Sequence, residues 1–310
     1  MSNTLDGTGT YKMQHTLVDV VINVYGKPYQ TLCTLKSLLK HSGEYIDKIY
    51  FIEEKTHPYD NIVNWIIPKL DNIIHFIPRE YVFIKGTSGD MNDEQNRWTN
   101  RYQYGIEKSD KKYVFIIHND ILFTGNMIKN MLSNIDDSIG IGLIGQCWNC
   151  SAFLAGKCDG DRHDKVDYSY DEVYEMMQSF PPARTDFYRH INHDKPMPLP
   201  ECRLNELACL IDKEITMEQC YPNGDTPLFG SYDMLDLGDI WFRRLIDKGF
   251  TFKNYDINID SDHGFFSKIA SRNYNGDKSF HVSGYITQLD KDAYHKAEEL
   301  AKEYYEQNFK

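Results

Sequence analysis

The stretch KKYVFIIHNDILFTGNM, residues 111–127, decides how the rest of the chain is read. Two lysines lead into five consecutive apolar residues, Tyr113 onward to Ile117, dominated by β-branched and aromatic side chains. An apolar run of that length, bounded by charge, predicts a buried strand at the centre of a sheet. Polarity changes abruptly at His118, Asn119 and Asp120, ahead of Ile121, Leu122, Phe123 and a turn at Thr124-Gly125. Open α/β sheets bind ligands in the crevice beyond the carboxyl ends of their strands. These three polar side chains are therefore the first place to look for chemistry.

Toward the N-terminus, LVDVVINVY (17–25) predicts a strand closed by Gly26-Lys27-Pro28. Leu32, Leu35, Leu38 and Leu39 then recur at helical spacing, with Pro28 in the first turn, where its missing N–H does no harm. Residues 46–52 predict a second strand ending in Glu53-Glu54, 59–70 a helix and 72–77 a third strand. The stretch KGTSGD (85–90) predicts a turn. Over 91–107 the pattern is helical, with Arg97 and Arg101 one turn apart on a face from which they can meet phosphate or base. Strand, helix, strand, helix in this order predicts parallel βαβ units.

Toward the C-terminus, 126–135 predicts a helix and 139–145 a strand. The pattern dissolves over 146–200, and so long a structureless segment in a compact domain predicts a functional lid or binding region. A strand over 204–212, helices over 213–219 and 233–248, a strand over 250–259 and a charged amphipathic helix over 288–308, packed across the outside, complete the reading. The expected organisation is a flexible leader (1–16) and one domain (17–310). That domain has a front half to 146, a variable rear half over 147–287 and a C-terminal helix from 288.

Composition excludes several classes. Lysine plus arginine number 34 against 46 aspartate plus glutamate, a net charge of −12. Basic surface for neutralising a phosphate backbone is scarce, which argues against nucleic acid as the partner. No run approaches the 18 apolar residues of a membrane-spanning helix, and the polar first residues carry no secretory h-region. Seven cysteines, an odd number, predict reduced thiols and a cytoplasmic location. The spacing Cys147-x2-Cys150-x7-Cys158-x4-His163 could hold a structural Zn²⁺ in S3N geometry. Buried free thiols are the alternative.

Five short features, in order, resemble the GT-A glycosyltransferases, family-2-like enzymes built on a Rossmann-like, mostly parallel sheet flanked by helices. VVINVYGKP (20–28) looks like their opening strand and tyrosine, and KIYFIEE (48–54) like the second strand, whose acidic end reads the base. HND (118–120) stands where the family has Asp-x-Asp. LGDIWFRRLIDKG (237–249) resembles the acidic helix start, normally Glu-Asp, and DHGFFS (262–267) the C-terminal histidine segment. The chain departs from the pattern at His118 and Gly238, each standing where the family has a carboxylate.

The resemblance implies a nucleotide-sugar donor, UDP-, GDP- or dTDP-linked, a glycan or lipid-linked acceptor, and Mn²⁺ or Mg²⁺. Asp120 is then the metal ligand, with His263 and His118 as further contacts and His281 as a competitor of His263. Asp239 is the base of an inverting transfer, with Asp236 its neighbour in that role. Tyr25 and Glu53 meet the base and ribose, and Asn119 lies beside the donor. The 146–200 segment and the loop with Phe229-Gly230 form the acceptor side. A nucleotidyltransferase, or a carbohydrate-binding scaffold on a degenerate transferase fold, is the alternative.

Overall fold

The computed structural model describes residues 3–5, 11–13, 17–54, 66, 70–79, 90–182, 184–232, 235–275 and 288–310. His281, most of the expected helix over 59–70 and most of the loop over 85–90 lie outside them. Within the expected leader, Asn3–Leu5 pairs antiparallel with Tyr11–Met13.

Strand β1 (Val18–Val24) is buried at every position, as its near-continuous apolar sequence demands of a strand covered on both faces. Gly26 and Lys27 both take left-handed backbone, φ 64° and 53°, and turn the chain into α1 (Pro28–Ser42). Leu32, Leu35 and Leu38 of α1 are fully buried in the core on one side of the sheet. Strands β2 (Ile46–Glu53) and β3 (Ile73–Phe76) follow.

The single helix expected over 91–107 is instead two, α2 (Glu94–Arg97) and α3 (Gln103–Lys108). Asp93 caps the first by accepting from Gln95 N. Arg97 folds the segment back on itself by donating to the carbonyls of Met91 and Asn92. Gly105 lets α3 lie against β1 and β2, since a Cβ there would fall 2.5 Å from Val21 Cγ2.

The remaining elements are β4 (Tyr113–Ile117), β5 (Ile121–Phe123), α4 (Met127–Asn134), β6 (Gly140–Ile144), α5 (Ser151–Leu154), α6 (Tyr170–Ser179), β7 (Leu204–Asp212), α7 (Lys213–Gln219), α8 (Asp239–Asp247), β8 (Phe252–Asn254), β9 (Ser261–His263), α9 (Phe265–Asn275) and α10 (Gln288–Asn308). The seven-stranded sheet has the order β8-β6-β7-β4-β1-β2-β3. Every pairing in it is parallel except those of β7, which runs antiparallel to both β4 and β6. This is the expected α/β class, a mostly parallel sheet flanked by helices, with the 113–117 strand in the middle.

The reversed direction of β7 changes which residues reach the sheet's edge. Ala208 lies opposite Ile117 and Leu204 opposite Ile144. The amino end of β7 therefore joins the carboxyl tips of its neighbours at one rim of the sheet.

Three further sequence expectations need correction. Residues 146–200 are not structureless: α5 and α6 lie there, α6 begins with a capping box between Ser169 and Glu172, and Val173, Met176, Tyr188, Ile191, Met197 and Leu199 form a small core of their own. The helix expected from 233 begins at Asp239, because Gly238 is left-handed at φ 84°. The strand expected over 250–259 ends at Asn254, and a 3₁₀ turn (Ile257–Ile259) carries the chain into β9.

Helix α10 spans its expected residues but does more than cover the outside. It packs on α1 and α9, and Glu298 accepts from Tyr29 N at 2.8 Å and Gln30 N at 3.3 Å, capping the start of α1. Among the described residues no helix is long and apolar enough to cross a membrane.

Candidate functional site

Three segments far apart in sequence meet at the tip of β4. The strand itself delivers His118 and Asp120. Strand β9 pairs antiparallel with β5, placing His263 opposite Ile121, and Gly264 N donates to Asp120 O at 2.8 Å. His263 Nε2 thereby comes to 3.3 Å from Asp120 Oδ1, and His118 Nδ1 to 3.9 Å from the same oxygen. From the left-handed turn after β1, Lys27 Nζ donates to the other oxygen, Oδ2, at 2.7 Å. The Asp120 side chain is 2% exposed, so this charge pairing is shielded from water and salt.

One ligand atom each from His118, Asp120 and His263 lie within 4.8 Å of one another. One carboxylate and two imidazoles fit a divalent cation, and the imidazoles tilt the preference from Mg²⁺ toward Mn²⁺, though the same set also suits Fe²⁺. His118 Nε2 faces Glu206 Oε1 at 3.6 Å. A carboxylate behind a histidine orients its ring and fixes its tautomer, leaving Nδ1 for the cation.

The chain of charge continues inward. Glu206 pairs with Arg203, whose Nη2 lies 3.5 Å from Asp236 Oδ2 and whose Nη1 donates to Leu237 O at 3.0 Å. Asp236 also pairs with Arg184, which donates to Gln146 Oε1 at 2.5 Å. Burial opposes ionisation of Glu206, but Arg203 and His118 outweigh it and hold the carboxyl well below the ordinary carboxylate range.

Asp239 opens α8 and is fully buried. Burial pushes its carboxyl up to about 7; Arg243 and Arg203 pull it down, and Asp236 and Glu201 add to the rise. Arg243 Nη1 stands 3.8 Å from Oδ1, and among the described residues neither Asp239 oxygen accepts a hydrogen bond. A carboxyl poised near neutrality is what proton abstraction from a hydroxyl requires. The missing carboxylate at 238 has a steric reason, since a Cβ there would sit 2.7 Å from the Phe229 ring.

At the tip of β2, Glu53 is buried and 2.9 Å from His75 Nε2. Glu54, on the opposite face, is fully buried with Arg101 Nε 3.8 Å from Oε1. Burial raises the Tyr102 hydroxyl far above its ordinary value; Glu206 and Glu54 reinforce the rise and Arg101 opposes it, so these charges share one polar region. Tyr25 is half-buried just beyond β1.

Two expected donor contacts are engaged elsewhere. Arg97 is held by both carboxylate oxygens of Glu107, at 2.7 and 3.1 Å, and does not share a helix face with Arg101. Asn119 donates to Gly26 O at 3.2 Å and Thr31 Oγ1 at 3.1 Å, tying the β4 tip to the start of α1. On the acceptor side, Phe229 is buried against Trp241 and Tyr102 and presents no surface.

Sequence reading missed Lys27, Arg203, Glu206, Arg184 and Glu201. Only Lys27, between Gly26 and Pro28 at a strand end, carried a local signal. Glu201, Arg203 and Glu206 join the rim because β7 is reversed, and Arg184 reaches it from the 146–200 segment through Gln146 and Asp236. Glu201 is raised to about 7 by burial, with Arg184 the main opposing charge, and accepts from Asn149 Nδ2 at 2.6 Å. The suggested Zn²⁺ set loses its histidine: Cys147, Cys150 and Cys158 line one cavity that His163 does not reach, and the His163 ring packs on Phe242 instead.

A second acidic group of metal-ligand spacing, Asp19, Asp47 and Asp110, involves the opposite, amino end of β1. Lys111 bridges Asp47 and Asp110 at 2.7 and 2.9 Å, and Lys48 meets Asp110 at 2.8 Å. Those lysines hold Asp110 down at about 2.

Neither a protein-family model nor a curated protein sequence matches the chain. Among solved structures it is similar to a mannosyltransferase from Pyrobaculum calidifontis in complex with GDP-Man and Mn²⁺, at 7% identity and a TM-score of 0.49, over 96% of this chain and 77% of that one. It is similar to the galactosyltransferase LgtC in complex with donor and acceptor sugar analogues, at 11% identity and a TM-score of 0.38, over 77% and 74%. A third is glucosyl-3-phosphoglycerate synthase from Mycobacterium tuberculosis in complex with Mn²⁺, UDP and phosphoglyceric acid, at 10% identity and a TM-score of 0.39, over 77% and 68%. At such scores the site's own geometry must carry the function.

Proposed function

We propose that the protein is a metal-dependent glycosyltransferase that moves a sugar from a nucleotide-sugar donor to a hydroxyl of a glycan or lipid-linked glycan, with inversion. One observation carries this reading. The Asp120 carboxylate, at the tip of the central strand, gathers two histidines from separate segments, and Glu206, Arg203 and Asp236 link that cluster to the neighbourhood of the buried Asp239.

Asp120 Oδ1, His263 and His118 would hold a divalent cation, which would supply Lewis-acid charge for the departing diphosphate. Lys27 adds a fixed ammonium beside the same carboxylate, where low dielectric strengthens its pull on developing negative charge. Tyr25, Glu53 and the Arg101–Glu54 pair form the base and ribose end. Asp239 accepts the proton of the acceptor hydroxyl, and Arg243 and Arg203 favour its ionised form. Asp236, pinned between Arg184 and Arg203, is a positioning residue. Trp148, 64% exposed, lies with its ring 5.9 Å from the Arg184 guanidinium and offers a stacking surface for an acceptor sugar.

The test is a thermal-shift panel of UDP, GDP, dTDP and CDP with and without Mn²⁺, followed by hydrolysis of the matching nucleotide sugar. A ligand that binds only the folded chain raises its stability with the logarithm of concentration over dissociation constant. The expected result is a metal-dependent shift with one nucleotide, lost in Asp120→Ala. No shift with any of the four would sink the donor site.

A further inference from the structure

The cysteines invite a different pairing from the one their spacing suggested. Cys147 and Cys150 end a single 3₁₀ turn, with Cys150 N donating to Cys147 O at 3.0 Å. Cys158 is drawn back to the same place by its N–H to Ala152 O at 3.1 Å. The fourth group comes from the far end of the insertion. Gln146 N donates to Glu201 O at 2.8 Å and Gly145 N to Arg203 O at 2.7 Å, a clamp that seats Cys202 beside Cys147.

We propose that Cys147, Cys150, Cys158 and Cys202 form a structural Zn²⁺ site that staples the 146–203 insertion to the rim of the sheet. All four line one cavity of about 20 Å³, together with Gly145, Met197 and Leu199. That volume admits about one water-sized sphere. Four soft thiolates in tetrahedral array are a ligand set for structural zinc. Among the described residues no three of these thiols lie within 4.8 Å of one another, so the ion draws them inward across the cavity.

Two further features fit. The Cys150 sulfur, though raised by burial, is hydrogen-bonded by the backbones of Phe153 and Ala152, which favour its thiolate. A turn that aims N–H groups at a cysteine sulfur stabilises a metal-bound thiolate in the same way. The need is physical as well. The insertion's own core is small, and a core of that size gains most from a metal cross-link.

The full chain, produced with zinc in the medium and purified without chelator, is expected to carry one zinc per chain by plasma mass spectrometry. Replacement by Co²⁺ is expected to give the strong visible bands of tetrahedral thiolate coordination. Cys202→Ser should lose the metal, while His163→Ala and Asp120→Ala keep it. Retention in Asp120→Ala separates this site from the donor-site cation, whatever the fate of the glycosyltransferase reading. Folded wild-type protein without zinc or a tetrahedral cobalt spectrum overturns the proposal, as does finding the four thiols in two disulfides. Wild-type metal content decides the matter even if the cysteine variants fail to fold.

Discussion

Lys27 and Asp120 form a buried ion pair in which the ammonium takes Oδ2 alone, at 2.7 Å, and leaves Oδ1 to the two histidines. On the proposed reading a divalent cation would share this carboxylate with the lysine. Removing the lysine charge relieves repulsion between two cations in a low-dielectric site. Lys27→Met is expected to bind Mn²⁺ at least about tenfold more tightly by calorimetry, yet to turn over more slowly, because the fixed charge on the leaving-group side is gone. Unchanged or weaker metal affinity would contradict the shared carboxylate.

As the proposed base, Asp239 links catalysis to stability through pH. Its folded pKa is raised to about 7 from an unfolded value near 3.8, so the folded chain holds a proton that the unfolded chain has already lost. Stability from this group is complete below about pH 4 and declines as pH rises toward 7, a tenfold change in proton affinity corresponding to about 1.4 kcal/mol. Asp239→Asn keeps the neutral form at all pH, so near pH 7 it should be more stable than the parent by on the order of 3 kcal/mol in urea unfolding. Transfer should rise through about pH 7 in the parent and fall 10²- to 10⁴-fold, on the order expected for loss of a general base, in the variant. A fully active Asp239→Asn removes the base assignment.

Arg97 and Arg101 separate structure from binding. Arg97→Ala takes the cation from the Glu107 carboxylate, which is 9% exposed and keeps only the neutral donors Trp98 Nε1 and Gln103 Nε2, and should destabilise the fold by about 3 kcal/mol while leaving nucleotide affinity intact. Arg101→Ala should weaken nucleotide binding with a smaller effect on unfolding. Equal losses of affinity in both variants would put the base elsewhere.

Trp148 tests the acceptor side. Trp148→Ala should raise the acceptor KM several-fold and leave metal-dependent hydrolysis of the donor unchanged, because the ring is exposed and supports no core packing. A parallel fall in donor hydrolysis would show that the ring acts on the other substrate.

Glu298 reports on the C-terminal helix. Its carboxylate accepts from Tyr29 N, Gln30 N and Gln30 Nε2, and Glu298→Ala leaves these buried donors without it. A loss of about 2 kcal/mol is expected by urea titration. Burial raises this group to about 7 as well, with the backbone of Tyr29 and the side chain of Gln30 opposing. It therefore adds to the decline of stability between about pH 4.5 and 7, and Glu298→Gln should flatten that part of the curve.

Much was legible where local pattern and burial agree. The strand 113–117 sits at the middle of the sheet because its side chains can be hidden on both faces, and the polarity break after it marks the rim. Helix α10 and strand β7 occupy their expected residues because long stretches of consistent periodicity leave few alternatives. The 91–107 segment departs from its helical pattern because spacing alone cannot register Arg97 reaching forward to Glu107 and back to the carbonyls of Met91 and Asn92.

From sequence alone follow the parallel βαβ front half, the central strand and the acid at its tip, since hydrophobic periodicity and chain chirality constrain them locally. The family resemblance had already named His118 and His263 beside that acid, and the tertiary structure showed how the pairing of β9 with β5 seats His263 there. Only the tertiary structure added the charged groups around them: a left-handed turn brought in Lys27, and the reversal of β7 brought Arg203 and Glu206. Each is a contact between segments remote along the chain, set by hydrogen-bond register and burial across the whole sheet, and no stretch of sequence carries that information by itself.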